Sequence, residues 1–256
     1  MIPRIVPPLT DTTVLVTRPA AQSAGLCEQI AGLGGIAIPF PAIAIEPVAA
    51  TEAAECDLVV FVSVNAVEHG ARLVRKGALT RIAAIGKATA AALAAMQMPA
   101  DIVPEAGFDS EALLAHPQLA LTAGARVLIV HGTGGRELLQ QTFAARGMTV
   151  ETREVYRRIR PAVDEQERER IETHWAQEGI DVVTLTSIET LHNLVDMLSD
   201  RGRALLRDTT LLVASRRIGA AAASAGLRGD VIVATGADDA SMLGALATWR
   251  TRARVP

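Results

Sequence analysis

The 256-residue chain predicts an α/β fold of two similar lobes, each a parallel sheet flanked by helices. Three observations lead there. The first is an internal repeat, which fixes architecture before any motif does. DLVVFVSVNAVEHG from Asp57 aligns with DVVTLTSIETLHNL from Asp181, and AIGKATAAALAAM from Ala84 with ASRRIGAAAASAG from Ala214. DIVPEAGFDSEALLA from Asp101 aligns with DVIVATGADDASMLGAL from Asp230, and VLVTRPAAQSAGLCEQIAGLGGIAI from Val14 with VLIVHGTGGRELLQQTFAARGMTV from Val127; the offsets span 113 to 130 residues. The second is that VLVT, LVVFV, VLIV and VVTL are continuously apolar rather than alternating, as parallel strands covered on both faces must be. The third is rhythm: each such run is bounded by Gly, Ser or Thr and followed by a helical stretch, which is βαβ logic.

Taken in order, VLVT opens into the helix AAQSAGLCEQIAGLGG, and the repeat of strand and helix then proceeds twice along the chain. Two stretches break the rhythm at equivalent places, IAIPFPAIAIEPV and VETREVYRRIRPAV. Both read as extended, with proline at their edges, and are the expected crossings between lobes, a hinge. DEQERERIETHWAQEG reads as a charged surface helix with Ile171 and Trp175 on one face. In GFDSEALL and GADDASML, Asp109, Ser110, Asp238 and Asp239 stand just before helices and are read as caps, because a side-chain oxygen there accepts from free backbone amides.

Composition narrows the function. With 50% hydrophobic and 21% charged residues the chain can bury a core without metal or disulfide staples. Lys and Arg number 25 against 28 Asp and Glu, so the basic surplus of a nucleic-acid binder is missing. Cys27 and Cys56 are too far apart for CxxC chemistry and are read as structural. His69, His116, His131, His174 and His192 form no metal-ligand spacing, so no metal is expected. The N-terminal stretch lacks the build of a secretory signal and no segment approaches the ~18 apolar residues of a membrane span. A cytoplasmic protein without a membrane or nucleic-acid partner is the expectation, and the lack of heptads makes a monomer the simplest assembly.

Ligands of open parallel sheets bind beyond the carboxyl ends of the strands, so the strand-to-helix junctions are where chemistry is sought. They are Thr17-Arg18-Pro19, Ser63-Val64-Asn65, Gly86-Lys87-Ala88-Thr89, Gly132-Thr133-Gly134-Gly135-Arg136, Thr186-Ser187 and Ser215-Arg216-Arg217. Hydroxyls, glycines and single cations dominate there and carboxylates are nearly absent. Free N–H groups and partial positive charge at helix starts suit a polyanionic small ligand. Capping and tight turns account for the same residue types at any one junction; the shared character of all six carries the ligand reading. GTGGRE is no dinucleotide fingerprint, since Glu137 stands where the third glycine belongs, and no P-loop or GxSxG elbow occurs.

The ordered set VLVTRP, DLVVFVSVNAV, AAIGKATAAAL, GFDSEALL, GARVLIVHGTGGRELLQQTFAARGMTV, EVYRR, DVVTLTSIETLHNL, LLVASRRIGAAAASAG and GADDASMLGAL resembles the uroporphyrinogen-III synthase family from Val14 to about Leu246. The resemblance implies two α/β lobes joined by a two-stranded β-ladder hinge. The lobes would be residues 1–38 with 161–256, and 39–160, with hinge strands at about 36–46 and 150–160. It implies a cofactor-free lyase that cyclises hydroxymethylbilane, a linear tetrapyrrole with eight carboxylates, with loss of water and inversion of the last pyrrole. It also allows delivery of that substrate by the preceding pathway enzyme.

By the same resemblance Tyr156, the single tyrosine, stands over the leaving hydroxyl. Arg18, Ser63, Asn65, Gly86, Lys87, Thr89, Gly132, Gly134, Arg136, Thr186, Ser187, Ser215 and Arg216 would hold the substrate, the cations through charge-assisted bonds to its carboxylates. The chain departs from the family pattern at Val62, where threonine is common, and at His131, where arginine is common. A second reading, from another class, is a non-catalytic two-lobed protein that binds or senses a tetrapyrrole or small anion on the same fold.

Overall fold

A computed structural model describes residues 7–107, 109–119, 121–135 and 137–253. The strands are β1 (Thr13–Val16), β2 (Ile36–Pro39), β3 (Ala44–Pro47), β4 (Leu58–Phe61), β5 (Arg81–Ala84), β6 (Arg126–Gly132), β7 (Thr149–Ile159), β8 (Val182–Leu185), β9 (Thr210–Val213) and β10 (Val231–Val233). The α-helices are α1 (Ala20–Gly32), α2 (Val64–Gly70), α3 (Lys87–Ala95), α4 (Ser110–Leu114), α5 (Leu138–Ala145), α6 (Glu165–Gln177), α7 (Ile188–Met197), α8 (Asp200–Asp208), α9 (Arg216–Ser224) and α10 (Asp239–Ala253). They fall into two compact units, one of residues 1–44 and 159–256, the other of residues 45–158.

The first unit holds a sheet of order β10-β9-β8-β1-β2, and each pairing is parallel. Leu15, Val183, Leu185, Leu211 and Val213 pack on one face with Ile171, Trp175, Leu191, Leu194, Leu206 and Ile218 from the helices. Val14, Val16, Val182 and Leu212 pack on the other with Leu26, Ile30, Met242 and Leu246. Burial on both faces is why these strands read as unbroken apolar runs.

The second unit holds a sheet of order β3-β7-β6-β4-β5, in which β5-β4-β6-β7 pair in parallel. Ile102 adds a parallel bridge outside β5 at Ala83. Mapped through the sequence repeat, Ile102, β5, β4, β6 and β7 correspond to β10, β9, β8, β1 and β2, so the two sheets have the same order, with β3 as an addition. Val59, Phe61, Leu128 and Val130 face α2 and α3, whereas Leu58, Val60, Val127 and Ile129 face α4 and α5.

The chain passes between the two units at residues 44–45 and 158–159. The stretch at about 36–46 is two strands in two sheets, separated at residues 40–43. Pro39 and Pro41 supply no N–H, but they alternate with the residues that donate to β1 and β2 is an edge strand, so no ladder bond is lost there. Phe40 and Ala42 donate to the carbonyls of Val16, the last residue of β1, and of Thr17 just after it, and both side chains are buried. β3 neighbours β7, but β7 also pairs with β6 inside a five-stranded sheet.

Helix α6 differs from the sequence reading. It is charged along its exposed side as expected, yet Glu172 is buried with Ile171 and Trp175. Its carboxylate accepts from the Ser199 amide at 2.9 Å and the Ser199 hydroxyl at 2.5 Å, which holds the N-cap residue of α8.

Candidate functional site

In the second unit β4 leads, two residues past its end, to Ser63, which caps α2: the Ala66 amide donates to Ser63 Oγ at 3.0 Å. Tyr156 comes to the same hydroxyl from β7, with 3.1 Å between Ser63 Oγ and Tyr156 Oη. The register of β6 and β7 shifts between His131 and Gly132, so that Gly132 pairs with Tyr156, and the Thr133 amide donates to the Tyr156 carbonyl at 2.8 Å. A Cβ on Gly132 would stand 2.5 Å from Tyr156 Cζ. Glycine is therefore required there by close approach of the ring. Tyr156 belongs to the same buried apolar cluster as Val155, Phe61 and Ala66, and the His69 ring lies 6.2 Å from it, centroid to centroid.

Gly86 is the N-cap residue of α3, followed by exposed Lys87 and buried Thr89. Gly134 adopts φ +74°, a left-handed turn that favours glycine. Asn65 sits in the first turn of α2. Arg136 lies outside the described residues. A cavity of 490 Å³ opens at this end of the sheet, on the α4 and α5 side, lined by Val62, Ile85, Ser110, His131, Gly134 and Glu154 among others. His131 Nδ1 lies 2.9 Å from the Gly132 carbonyl.

In the first unit Ser187 caps α7, accepting from the Thr190 amide at 3.0 Å and lying 2.8 Å from the Thr190 hydroxyl. Thr186 precedes it, half-buried. Ser215 is the N-cap residue of α9 without a side-chain cap bond, and Arg216 beside it is exposed. Arg18 is different. Its side chain is buried, with one terminal nitrogen on Asp239 and the other on the Ala237 carbonyl. An incoming carboxylate would have to compete with Asp239 for it.

The four residues read as caps therefore separate. Asp109 accepts from the Ala112 amide at 2.8 Å and caps α4. Asp238 accepts from the Ser241 amide and hydroxyl, and these bonds hold its carboxyl below the usual carboxylate range. Ser110 is the first residue of α4, buried. Asp239 is a correction: it opens α10 but serves as the partner of Arg18. Sequence reasoning does not reach His69 or Ala237; only the single tyrosine and the glycine opposite it signal where to look.

Burial pushes the Cys27 and Cys56 thiols up, which fits structural cysteines. Among the described residues there is no cluster of three His, Cys, Asp or Glu able to hold a metal ion, and no helix is long and apolar enough to cross a membrane.

The fold and these junctions define a class: α/β proteins of two like-ordered parallel sheets whose chemistry-bearing residues gather where strands open into helices. Comparison with known proteins narrows it. The family model described as uroporphyrinogen-III synthase HemD matches residues 25–244. The uroporphyrinogen-III synthase of Salmonella typhimurium is 35% identical over 258 residues, covering 91% of this chain and 99% of the relative. That of Escherichia coli is 33% identical over 248 residues, covering 91% and 99%. Two solved structures share the fold. A mutant uroporphyrinogen III synthase from Thermus thermophilus has a TM-score of 0.57 at 18% identity, covering 95% of this chain and 100% of the other. The uroporphyrinogen-III synthetase of Helicobacter pylori has a TM-score of 0.60 at 11% identity, covering 93% and 99%. This chain belongs to the uroporphyrinogen-III synthase family.

Proposed function

We propose that the protein cyclises hydroxymethylbilane to uroporphyrinogen III, as a hydro-lyase that uses no cofactor. The observation that carries this reading is the Tyr156–Ser63 hydroxyl pair at the carboxyl edge of a parallel sheet, in a chain that belongs to the synthase family. Loss of the substrate hydroxyl needs a proton donor at the departing oxygen, and the hydrogen-bonded pair of phenol and serine hydroxyl provides one. The cation left behind is attacked by the terminal pyrrole through its substituted α-carbon, and ring closure follows with that pyrrole inverted.

The linear substrate also closes unaided to the uninverted isomer, so the protein's task is mainly to favour one geometry over another. Eight carboxylates give many points of attachment. The backbone amides at Gly86, Gly132 and Gly134, the hydroxyls of Thr89, Thr186, Ser187 and Ser215, and the cations Lys87 and Arg216 are the groups that receive them. Asn65 adds a side-chain amide. Val62 and His131 leave fewer donors at two corners, which shifts more of the binding onto backbone groups.

The test is the product isomer ratio. Freshly made hydroxymethylbilane is given to the purified protein, the products are oxidised, and type III and type I uroporphyrin are separated by chromatography. Type III in large excess is expected, with a slower rate for Tyr156→Phe. Type I alone, at the uncatalysed rate and from folded protein, would overturn the reading in favour of a binding or sensing protein.

A further inference from the structure

We propose that Tyr156 and Ser63 form a two-hydroxyl relay in which Tyr156 donates to Ser63, and the Ser63 proton is the one delivered to the leaving hydroxyl. The relay rests on the function proposed above. Only one proton can lie between two oxygens 3.1 Å apart. A phenol is a far stronger acid than an aliphatic alcohol, so that shared proton belongs to Tyr156. Ser63 Oγ has two lone pairs and one proton. The Ala66 amide takes one lone pair at 3.0 Å and the phenol takes the other, which leaves the serine proton as the one without a described acceptor.

Exposure points the same way. Tyr156 is 5% exposed, with its ring closed over by Gly132, whereas Ser63 is half-buried just past the end of its strand. Two donors on one oxygen also withdraw charge from it and make its own proton easier to give up, as expected for hydrogen bonds in series. Ser63 is thus the group that meets the substrate, and Tyr156 acts through it.

The step balances. As the carbon–oxygen bond breaks, the departing oxygen takes the Ser63 proton and leaves as water. Ser63 takes the Tyr156 proton, leaving a phenolate. The proton lost when the closed macrocycle regains pyrrole aromaticity returns to Tyr156, so substrate becomes product plus water and the protein is unchanged.

Because Tyr156 is the single tyrosine, labelling tyrosine with ¹³C at Cζ gives one resonance that reports its hydroxyl. A phenol that donates has partial phenolate character. Ser63→Ala removes the acceptor, so the Cζ resonance is expected to move away from the phenolate position. Movement toward it would show that Ser63 donates to Tyr156 and would overturn the relay. In the isomer assay, Tyr156→Phe and Ser63→Ala are each expected to lower kcat by about tenfold or more, and the double variant to be no worse than the poorer single one. Multiplying losses would overturn the shared path.

Two further variants separate chemistry from folding. Ser63→Thr keeps the cap and the proton and should recover most of kcat. Ser63→Asp keeps the cap and an acceptor but carries no proton near neutral pH, so it should melt like the wild type and remain slow; a fast Ser63→Asp enzyme would also overturn the relay. If the wild type makes no type III product, the functional reading fails, while the direction of the Cζ shift still decides which hydroxyl donates.

Discussion

Ser63 and Ser187 occupy matched places in the repeat, and both accept from the amide three residues on at 3.0 Å. Their second partners differ. Ser187 turns to Thr190 within its own helix, whereas Ser63 meets Tyr156 from a strand 93 residues away. The position matching Tyr156 in the other unit, at the same 113-residue offset that relates β6 and β7 to β1 and β2, is Ile43, a buried apolar residue. The corner at His131 shows the same divergence. Its counterpart is Arg18, and the counterpart of Ser110 is Asp239. One unit fills that corner with a guanidinium and a carboxylate; the other has a cavity of 490 Å³ lined by His131 and Ser110. Strand order and caps are shared by the two units, while the side chains beyond the caps differ: structural in one unit and, on the function proposed above, chemical in the other.

The largest effect is expected where the first unit has sealed its corner. Asp239→Ala leaves the Arg18 charge buried, with the Ala237 carbonyl as its remaining hydrogen-bond acceptor among the described residues and the Asp238 carboxylate near enough to act on it, and should cost about 3 kcal/mol in urea unfolding, the low end for breaking such a pair because Asp239 is partly exposed. His131→Ala, at the matching corner, should cost less than about 1 kcal/mol. Equal losses would remove the contrast. Next, Gly132→Ala drives a methyl group into the Tyr156 ring; a loss of about 1–3 kcal/mol in stability and a fall in kcat are expected together. Unchanged kinetics would show that the ring's position is immaterial.

A smaller effect is predicted at Asp238. Its folded-state carboxyl is held low by the two bonds from Ser241, so its contribution is complete above the unfolded carboxylate value of about 3.9 and is lost as pH falls through the lower folded value. Asp238→Asn should shrink the stability difference between about pH 5 and pH 2, with little change near neutrality. An unaltered acid profile would remove Asp238 from the account.

Much of this is legible in the chain. The repeat supplies the strand order, since shared offsets imply shared neighbours, and unbroken apolar runs supply burial on both faces. Asp109 and Asp238 are readable as caps because a cap is a local device, settled within three residues. What escapes is non-local. Asp239 has the same local setting as the caps, but its partner Arg18 lies 221 residues earlier. Glu172 is hidden in a charged helix, and its burial depends on the start of α8. The contact between Tyr156 and Ser63 needs the shift of register at Gly132, which no pattern of apolar residues records.

The central claim is that one unit's hydroxyl performs chemistry while its counterpart holds and caps. Ser63→Ala and Ser187→Ala test it side by side, with unfolding and isomer-forming kinetics measured on both. Each should lose about 1 kcal/mol for the missing cap. Ser63→Ala should lower kcat, and the effect of Ser187→Ala should fall on KM. Losses of kcat that are equal in the two variants would contradict the account.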